Sequence, residues 1–369
     1  MKVAIAHDWL TGMRGGEKVL EAICELYPEA PIFTFLHVPG SVSPAIERHR
    51  IKTAFVQRLP APARFYRHYL PLYPLAVELF DLEAYDLVIS SSHCAVKSVI
   101  RRSDARHICY CHSPMRYAWD QFDAYFGEAQ VGRVGNRLLK PVMAGLARWD
   151  AATAWRVDRF LANSQYVAGR IRRYYNRGST VVYPPVDTEY YRPAGSPVES
   201  TGFLVVSALV PYKRVDIAIE ACRRLGVRLT IVGRGPEEAR LRAKAGADVQ
   251  FLGWLTDDEV RALYQRCEAV LLPGVEDFGM VPVEAQACGA PVVALGSGGA
   301  CETVVDGETG VLVGDGSADA FADGLDRLRR LRLDPAAIRA GAGRFSRQRF
   351  MTEFQAAVQA AIAHRDPLP

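Results

Sequence analysis

Short runs of apolar, mostly β-branched residues alternate along the whole chain with longer segments in which apolar positions recur at the helical period. The short runs predict buried strands, and the longer segments predict amphipathic helices. This alternation is typical of βαβ units on mostly parallel sheets. The predicted strands cover residues 3–5, 32–35, 87–89, 107–110, 160–161 and 181–183 in the first half of the chain, and residues 203–206, 228–232, 249–251, 269–272, 291–294 and 311–313 in the second half.

The periodic pattern is lost between residues 183 and 201, where Pro, Gly, Ser and acidic residues predominate, as in a linker between domains. We predict a doubly wound, Rossmann-like domain over residues 1–193, a second over residues 194–345, and a C-terminal helix over residues 346–369 that returns to the first domain. The fold class is therefore α/β. We expect the two domains to face a central cleft, because such sheets bind ligands at the carboxyl ends of their strands.

Composition excludes several classes of protein. Hydrophobic residues at 49% and charged residues at 23% describe a globular protein. The net charge of +4 is modest, and aromatic residues are not interleaved with Lys and Arg, so we expect no nucleic-acid partner. The first strand reaches polar residues too soon for a signal peptide, and no apolar run is long enough to span a bilayer. We expect a cytoplasmic protein whose membrane contact, if any, is peripheral and at the inner face of the cell membrane.

The eight cysteines are scattered without paired spacing, which predicts reduced and mostly buried thiols. The run from Cys109 to His112 contains three metal-binding side chains, but adjacent donors at the end of a strand cannot all converge on one ion. The chain also lacks a D-x-D pattern, which many metal-dependent transferases carry. We therefore predict no metal site.

The segment that follows the predicted strand 269–272 is the richest in candidate chemistry. If a helix starts near Met280, the backbone N–H groups of its first turn can bind phosphate oxygens together with the helix dipole. Glu284 then lies one turn inside the helix, a distance suited to ribose hydroxyls, and Glu276 lies in the preceding loop, where it can face a sugar. The residues whose N–H groups would bind phosphate are Phe278, Gly279, Met280 and Val281.

Glu276 and Glu284 form an E-x7-E pair, and an Ala-x-x-x-Gly-x-Pro-Val segment follows at residues 285–292. A glycine loop and an acidic turn come next, at residues 298–302 and 306–310. In these motifs the chain resembles the retaining group 1 glycosyltransferases with the GT-B fold. The resemblance implies that Glu284 holds the donor ribose and that Glu276 contacts the transferred sugar. It also implies that the second domain binds a nucleotide-sugar and that the first lies on the acceptor side.

Lys213 and Arg214 open the helix that follows the predicted strand 203–206. A lysine near a helix start is most often a solvated surface charge. Similar enzymes clamp the donor diphosphate with an arginine just after this strand and a lysine five residues later, and Ala208 stands at the arginine position here. We therefore expect Lys213 and Arg214 to share the phosphate contacts, with backbone N–H groups contributing more than usual.

Asp8, Gly15 and Gly16 lie between the first predicted strand and the first helix. The glycines permit a close backbone approach to a ligand, and the segment lacks the G-x-G-x-x-G pattern of an NAD site. Related enzymes place such a loop against the donor phosphates and the acceptor, which implies that Gly15 and Gly16 bind through their backbone. Asp8 then orients an acceptor hydroxyl. The alternative is that Asp8 caps a helix or stabilises a turn.

His112 follows the predicted strand 107–110, a position from which its side chain can point toward the cleft. By resemblance it contacts the transferred sugar near its reacting carbon. The alternative is a histidine that only packs in the core. Together with Glu276 and Asp8, His112 completes the predicted catalytic set.

The resemblance is greatest to bacterial mannosyltransferases of surface-polysaccharide and lipopolysaccharide assembly, so GDP-mannose is the expected donor, with no separate cofactor. The acceptor would be a glycan or a polyprenyl-diphosphate-linked sugar. The resemblance implies front-face attack, in which the departing phosphate accepts the acceptor proton. Aromatic and Arg residues between Phe55 and Phe80 could contact an anionic membrane, or this segment could pack its Tyr and Leu side chains inward.

Two other functions remain open. A nucleotide-sugar 2-epimerase can share the two-domain architecture, but it would convert its donor without an acceptor. A non-catalytic subunit that binds nucleotide-sugars is the other alternative, and Ala208 in place of arginine is its only support.

Overall fold

The computed structural model describes residues 1–196 and 199–363. The chain divides into two compact units, one formed by Met1–Pro185 together with the chain from Phe350 onward, and the other by Val186–Arg349. Residues 197–198 of the predicted linker and residues 364–369 of the predicted C-terminal segment lie outside the described residues.

The first unit contains a parallel seven-stranded sheet in the order β3-β2-β1-β4-β5-β6-β7. Its strands are β1 (Val3–Leu10), β2 (Ile32–His37), β3 (Ile51–Thr53), β4 (Leu87–Ser92), β5 (Arg106–Cys111), β6 (Arg159–Ala162) and β7 (Ser179–Val181). Its helices are α1 (Gly15–Leu26), α2 (Pro44–Glu47), α3 (Pro62–Phe65), α4 (Tyr73–Glu78), α5 (Arg116–Trp119), α6 (Phe122–Phe126), α7 (Glu128–Ala152) and α8 (Gln165–Tyr175).

The second unit contains a parallel six-stranded sheet in the order β10-β9-β8-β11-β12-β13. Its strands are β8 (Phe203–Val206), β9 (Leu229–Val232), β10 (Val249–Gly253), β11 (Ala269–Leu272), β12 (Val292–Leu295) and β13 (Gly310–Val313). Its helices are α9 (Val215–Leu225), α10 (Glu238–Lys244), α11 (Asp257–Tyr264), α12 (Met280–Ala287), α13 (Ala300–Thr303), α14 (Ala318–Arg330) and α15 (Pro335–Ala342), and α16 (Arg347–Ala363) ends the described chain.

The predicted α/β class with two doubly wound parallel sheets is confirmed, and each predicted strand overlaps an observed one. The short edge strand β3 escaped prediction, because cations flank its single apolar residue, Ile51, and no apolar run marks it. Among the described residues, no helix combines the length and the apolar character needed to cross a membrane.

The boundary between the units lies at Pro185, before the predicted boundary at residue 193. The segment that starts at Val186 already packs within the second unit: Val186 forms a β-bridge with Ser346, and the Tyr191 ring contacts the Tyr264 ring of α11. The loss of periodicity in the sequence marks irregular backbone, but irregular backbone can still be packed against a domain.

The helix α16 covers part of the first sheet from Phe350 onward. Phe350, Phe354 and Val358 are buried in one apolar cluster with Ile5 of β1 and Leu20 of α1. The two phenyl rings stack on each other, and both lie against Tyr110 of β5. The first unit is therefore built from both ends of the chain.

In each sheet the strand order reverses direction once, between β1 and β4 in the first and between β8 and β11 in the second. The loops that leave adjacent strands diverge at such a switch point, and they open a crevice at the carboxyl ends of the strands. The segments with candidate chemistry follow these four strands and β5, so the topology places each group of candidate residues beside a crevice of its own sheet.

We expect Phe354→Ala to lower the free energy of unfolding of the first unit by about 3–5 kcal/mol, because it leaves a cavity where α16 meets the sheet. The thermal unfolding temperature of the purified protein measures this loss. Gln355→Ala, on the exposed side of the same helix, is the matched control and should have little effect. Equal unfolding temperatures for the two variants would show that α16 does not stabilise this unit.

Candidate active site

Three side chains from adjacent strands meet at the carboxyl edge of the first sheet. His7 of β1 and Ser91 of β4 are register partners, and His112 directly follows β5. The Ser91 hydroxyl lies 3.1 Å from His7 Nδ1 and 2.8 Å from His112 Nε2. His7 and Ser91 are fully buried, whereas His112 is half-buried. The structure thus places the predicted residue His112 at the switch-point edge, held by a buried serine.

Gly16 lies in the first turn of α1, directly beside these imidazoles. A Cβ atom at Gly16 would lie 3.8 Å from His112 and 3.9 Å from His7, so the helix start approaches both rings closely. Gly15 is the first residue of the helix, and Glu17 accepts a hydrogen bond from the Arg14 N–H. N–H groups at the start of α1 can donate hydrogen bonds to an anion or a hydroxyl, which is the role predicted for Gly15 and Gly16.

Asp8 has a different role from the predicted one of orienting an acceptor hydroxyl. Its side chain is fully buried, and each carboxylate oxygen accepts two backbone N–H groups from the turn after β4. These donors belong to residues 93–96, at distances of 2.7–3.0 Å. Asp8 also lies 3.3 Å from His93 Nδ1. The carboxylate therefore holds this turn in place, which is the turn-stabilising alternative of the sequence analysis.

Burial and charge set the ionisation of the groups around His112. Burial lowers the pKa of His112 well below its usual range, and the charges of His93, His7 and Arg116 lower it further, so this imidazole is neutral near pH 7. Burial alone would raise the pKa of Glu17, but the neighbouring His7 and His93 and a backbone hydrogen bond outweigh burial and lower it. The site thus holds a neutral His112 and an ionised Glu17.

His93, Ser91, His7 and Glu17 were not predicted as site residues. His93 follows β4, and its ring packs edge-on against Trp9, with 4.5 Å between the ring centroids. The His93 and His7 ring centroids lie 6.0 Å apart. Burial lowers the pKa of His93 as well. The signal that could have identified these residues was the run of serines and a histidine at the end of an apolar strand, next to a histidine at the end of the first strand.

The second candidate group surrounds the start of α12. The helix begins at Met280, and Gly279 precedes it with a φ of 87°, a conformation that favours glycine. Met280 and Val281 are the first two helical residues, so their N–H groups have no acceptor in a preceding helical turn. Phe278 is buried and packs edge-on against Phe345, with 5.4 Å between the ring centroids. This packing holds the loop in place. This arrangement suits the predicted phosphate contacts.

Lys213 and Glu276 form an ion pair beside this helix start, with side chains 16% and 14% exposed. Two close contacts with glycines hold the backbone segments that carry this ion pair. A Cβ atom at Gly274 would lie 2.5 Å from the Tyr212 carbonyl oxygen, and one at Gly298 would lie 2.4 Å from the Glu276 carbonyl oxygen. The structure therefore brings together two predicted residues that lie 63 positions apart in the chain.

Glu284 lies one turn inside α12 and is 6% exposed. One of its oxygens accepts a hydrogen bond of 3.1 Å from the hydroxyl of Tyr264, a fully buried residue of α11. Burial, and then the charge of Glu284, raises the pKa of Tyr264 well above its usual range, so the phenol stays a donor. A neutral donor thus orients the carboxylate that is predicted to hold a ribose.

Arg214 does not join the pair of Lys213 and Glu276. Its guanidinium is 49% exposed and lies 3.5 Å from Asp216. Its backbone has a φ of 50°, at the position that caps α9. Ala208 is exposed in the loop after β8, and Gly233 approaches this loop so closely that a Cβ would lie 1.9 Å from the Ser207 carbonyl oxygen. Of the two cations predicted to contact phosphate, Lys213 therefore lies beside the start of α12 and Arg214 does not.

Within the described part of the chain, no group of His, Cys, Asp and Glu side chains is arranged to hold a metal ion. Cys109 and Cys111 lie on one face of β5 in an apolar cluster, and burial raises the pKa of Cys111 well above its usual range. Their thiols are packing groups.

Two family models match the chain in consecutive regions. Residues 13–190 match Glycosyltransferase Family 4, and residues 187–343 match Glycosyl transferases group 1. A D-inositol 3-phosphate glycosyltransferase of Mycobacterium tuberculosis (strain H37Rv) is 36% identical over 177 residues, which cover 42% of this chain. The matched region spans 37% of that relative's length, and the same figures hold for its counterpart in Mycobacterium bovis.

Solved structures resemble the whole chain at lower sequence identity. Anabaena HepE in complex with UDP-glucose has a TM-score of 0.73 and 20% identity, and the match covers 98% of this chain and 100% of that one. The lipopolysaccharide outer core galactosyltransferase WaaB, in its apo form, has a TM-score of 0.65 and 18% identity, covering 98% and 99%. These likenesses confirm the predicted GT-B fold. Taken with the two family models, they support the predicted resemblance to the group 1 glycosyltransferases with the GT-B fold.

Proposed function

We propose that this protein transfers a sugar from a nucleotide-sugar to a carbohydrate acceptor, with retention and without a metal. The observation that carries the proposal is the start of α12, where N–H groups, Lys213, Glu276 and Glu284 lie together at the switch point of the second sheet. A helix start with an adjacent lysine is suited to a diphosphate. The family resemblance implies that Glu284, one turn inside the helix, holds the donor ribose, and its distance from the helix start fits that role.

The pair of Lys213 and Glu276 suggests how the donor enters this site. A diphosphate carries more negative charge than one carboxylate, so it competes with Glu276 for the Lys213 ammonium. When the phosphate forms an ion pair with Lys213, the Glu276 carboxylate is free to accept hydrogen bonds from the transferred sugar. Donor binding thus exchanges one ion pair for another, and this limits the cost of desolvating the lysine.

The departing diphosphate is stabilised by Lys213 and by the N–H groups of Met280 and Val281. A well-placed donor in such a position contributes about 3 kcal/mol to transition-state stabilisation. In front-face transfer the leaving phosphate accepts the proton of the attacking hydroxyl, and we propose that His112, neutral in its buried setting, contacts the sugar. Retention is proposed from the family resemblance of the E-x7-E segment.

GDP-mannose remains the proposed donor, on the resemblance to bacterial mannosyltransferases of surface-polysaccharide assembly. UDP-sugars are the competing donors, because HepE was solved with UDP-glucose. The proposed acceptor is a glycan or a polyprenyl-diphosphate-linked sugar.

Product formation distinguishes the proposed transferase from the two rival functions. A 2-epimerase would form product from the donor alone, so a product that requires an added acceptor glycan argues against it. A non-catalytic binding subunit would bind the nucleotide-sugar but would form no product even when donor and acceptor are both present.

We also propose peripheral contact with an anionic membrane, at α7 rather than at the segment from Phe55 to Phe80. In that segment Tyr66, Leu70 and Tyr73 are buried in the core, although other side chains, such as Leu75, are exposed. On α7, by contrast, Val134, Leu138 and Val142 form an exposed stripe at helical spacing, with exposed fractions of 74%, 66% and 37%.

The charges of α7 complement an anionic surface. Arg133, Arg137, Lys140 and Arg148 lie on this helix, and the sequence contains no acidic residue between positions 129 and 149. An exposed apolar stripe combined with cations favours the interface of an anionic bilayer. Such contact would bring the enzyme to a lipid-linked acceptor at the inner face of the cell membrane.

For the donor, we expect isothermal titration calorimetry to show tighter binding of GDP-mannose than of UDP- or ADP-sugars, with unchanged affinity in EDTA, because Lys213 and N–H groups replace a metal. Tighter binding of a UDP-sugar would remove the mannose proposal but retain the transferase. Loss of binding in EDTA would remove metal independence.

For the ion pair, we expect Glu276→Gln to tighten the binding of the nucleoside diphosphate by about threefold to tenfold, because Lys213 is no longer neutralised, and to lower kcat by on the order of a hundredfold. Glu220→Gln on α9 removes the same charge from two surface arginines and should change neither quantity. Unchanged transfer by Glu276→Gln would remove Glu276 from the catalytic set, and donor binding without any transfer by the unmodified protein would favour the non-catalytic subunit.

For the membrane, we expect the protein to float with vesicles that contain anionic lipid, and less at high salt. The double variant Val134→Ser, Leu138→Ser should lose most of this binding. Val305→Ser removes an exposed apolar side chain from the second unit and should retain it. Absence of flotation, or equal flotation of both variants, would contradict the proposed α7 surface.

A further inference from the structure

Four side chains in the first unit form a row of polar groups, of which only His112 has a part in the proposed transfer. It runs from Glu17 of α1 through His7 and Ser91 to His112. Glu17 Oε1 lies 3.7 Å from His7 Nε2, His7 Nδ1 lies 3.1 Å from Ser91 Oγ, and Ser91 Oγ lies 2.8 Å from His112 Nε2. Glu17, His7 and Ser91 are each at most 3% exposed.

The single hydroxyl proton of Ser91 couples the two imidazoles. If Ser91 donates to His7, it must accept from His112, so the His112 proton lies on Nε2 and its Nδ1 is an acceptor. If His7 donates to Ser91, the hydroxyl proton goes to His112 Nε2, the other hydrogen-bond partner of Ser91 Oγ among the described residues. The His112 proton then lies on Nδ1, which becomes a donor. Each state of one ring therefore fixes the state of the other.

The second nitrogen of His7 faces a carboxylate. The buried His7 Nε2 has no hydrogen-bond acceptor within bonding distance among the described residues, and Glu17 is its nearest charged partner. A proton on Nε2 is therefore favoured in both states of His7. It follows that uptake of a further proton occurs on Nδ1, the nitrogen that faces Ser91.

We propose that His7, Ser91 and His112 form a proton relay that stores positive charge on His7, beside Glu17, and thereby switches His112 between two neutral tautomers. In one step, His112 Nδ1 takes up a proton, His112 Nε2–H passes its proton to Ser91 Oγ, and the Ser91 hydroxyl proton passes to His7 Nδ1. One proton enters and none leaves. The net charge of the relay rises by one, and that charge lies on His7.

The surrounding charges favour this distribution. Glu17 from α1 faces His7, and its pKa is lowered, so it is ionised near pH 7. Arg116 from α5 and His93 from the turn after β4 disfavour a charge on His112. Asp8 on β1 accepts four backbone N–H groups, which stabilise its carboxylate within the turn after β4. Charge on His7 is thus paired, whereas charge on His112 would not be.

The role of the relay in catalysis rests on the proposed function. If His112 contacts the transferred sugar, its Nδ1 accepts a hydrogen bond from a sugar hydroxyl in one state and donates one in the other. His7 and Ser91 are then positioning residues that act through His112, and their protonation would set which hydroxyl orientation the site accepts.

The experiment is nitrogen NMR of the full-length protein with 15N-labelled histidine, titrated over the pH range in which circular dichroism shows it folded. As His7 takes up a proton, we expect the His112 proton to move from Nε2 to Nδ1, so that Nε2 becomes the unprotonated ring nitrogen. Ser91→Ala should uncouple the two residues. Ser90→Ala, which removes a fully buried hydroxyl bonded to His107 instead, should leave them coupled.

A His112 tautomer that does not change as His7 titrates would overturn the relay, and so would coupling that persists in Ser91→Ala. These signals need neither donor nor acceptor, so they test the relay even if the proposed transfer fails. If transfer is observed, Ser91→Ala should lower kcat on the order of tenfold and flatten its pH profile, while KM for the donor changes little. Transfer with an unchanged pH profile would leave the proposed function intact and remove the catalytic role of the relay.

Discussion

The loop between β11 and α12 depends on backbone contacts that only glycine permits. Gly274 lies against the backbone of Tyr212 and Lys213, Gly298 against the Glu276 carbonyl, and Gly299 against the Phe278 backbone. A side chain at any of these glycines would overlap a neighbouring main chain, so the loops interlock at the level of the backbone. Because α12 is buried on most sides, the interlocked loops fix both the helix start and the ion pair of Lys213 and Glu276. The proposed donor site is therefore preorganised by packing.

The two units use buried carboxylates in opposite ways. Asp8 accepts four backbone N–H groups, and no polar ligand could replace all of them at comparable cost, so its role is to hold a turn. Glu276 is paired with one lysine and is still partly exposed, so an anionic ligand can displace it. The number and kind of partners separate a carboxylate that supports the fold from one that can act on a ligand, even though Asp8 lies near the end of one buried strand and Glu276 follows another.

The strand pattern, the helix start at Met280 and the placement of Glu284 could be predicted from the sequence, because they depend on local periodicity and on one contiguous motif. The role of Asp8 could not, since its N–H donors lie 85 to 88 positions away, in a turn whose place is set by strand order. The same limit applies to His7 and Ser91, which meet through the register of β1 and β4. The domain boundary shifted for a related reason: residues after Pro185 look like a linker in sequence but form tertiary contacts with the second unit.

The two switch points differ in their electrostatic character, and therefore in the ligand groups that they can bind. The second sheet presents a lysine and the positive end of a helix, which favour a polyanion such as a diphosphate. The first sheet presents His93 and His112, whose pKa values burial lowers, and Glu17 is buried beside His7. Neutral imidazoles bind a polyanion weakly but exchange hydrogen bonds with hydroxyl groups in either direction, which is the property that sugar recognition needs. The second sheet is thus suited to a polyanion and the first to hydroxyl groups, and the fold alone, two similar sheets with the same kind of switch point, does not determine this difference.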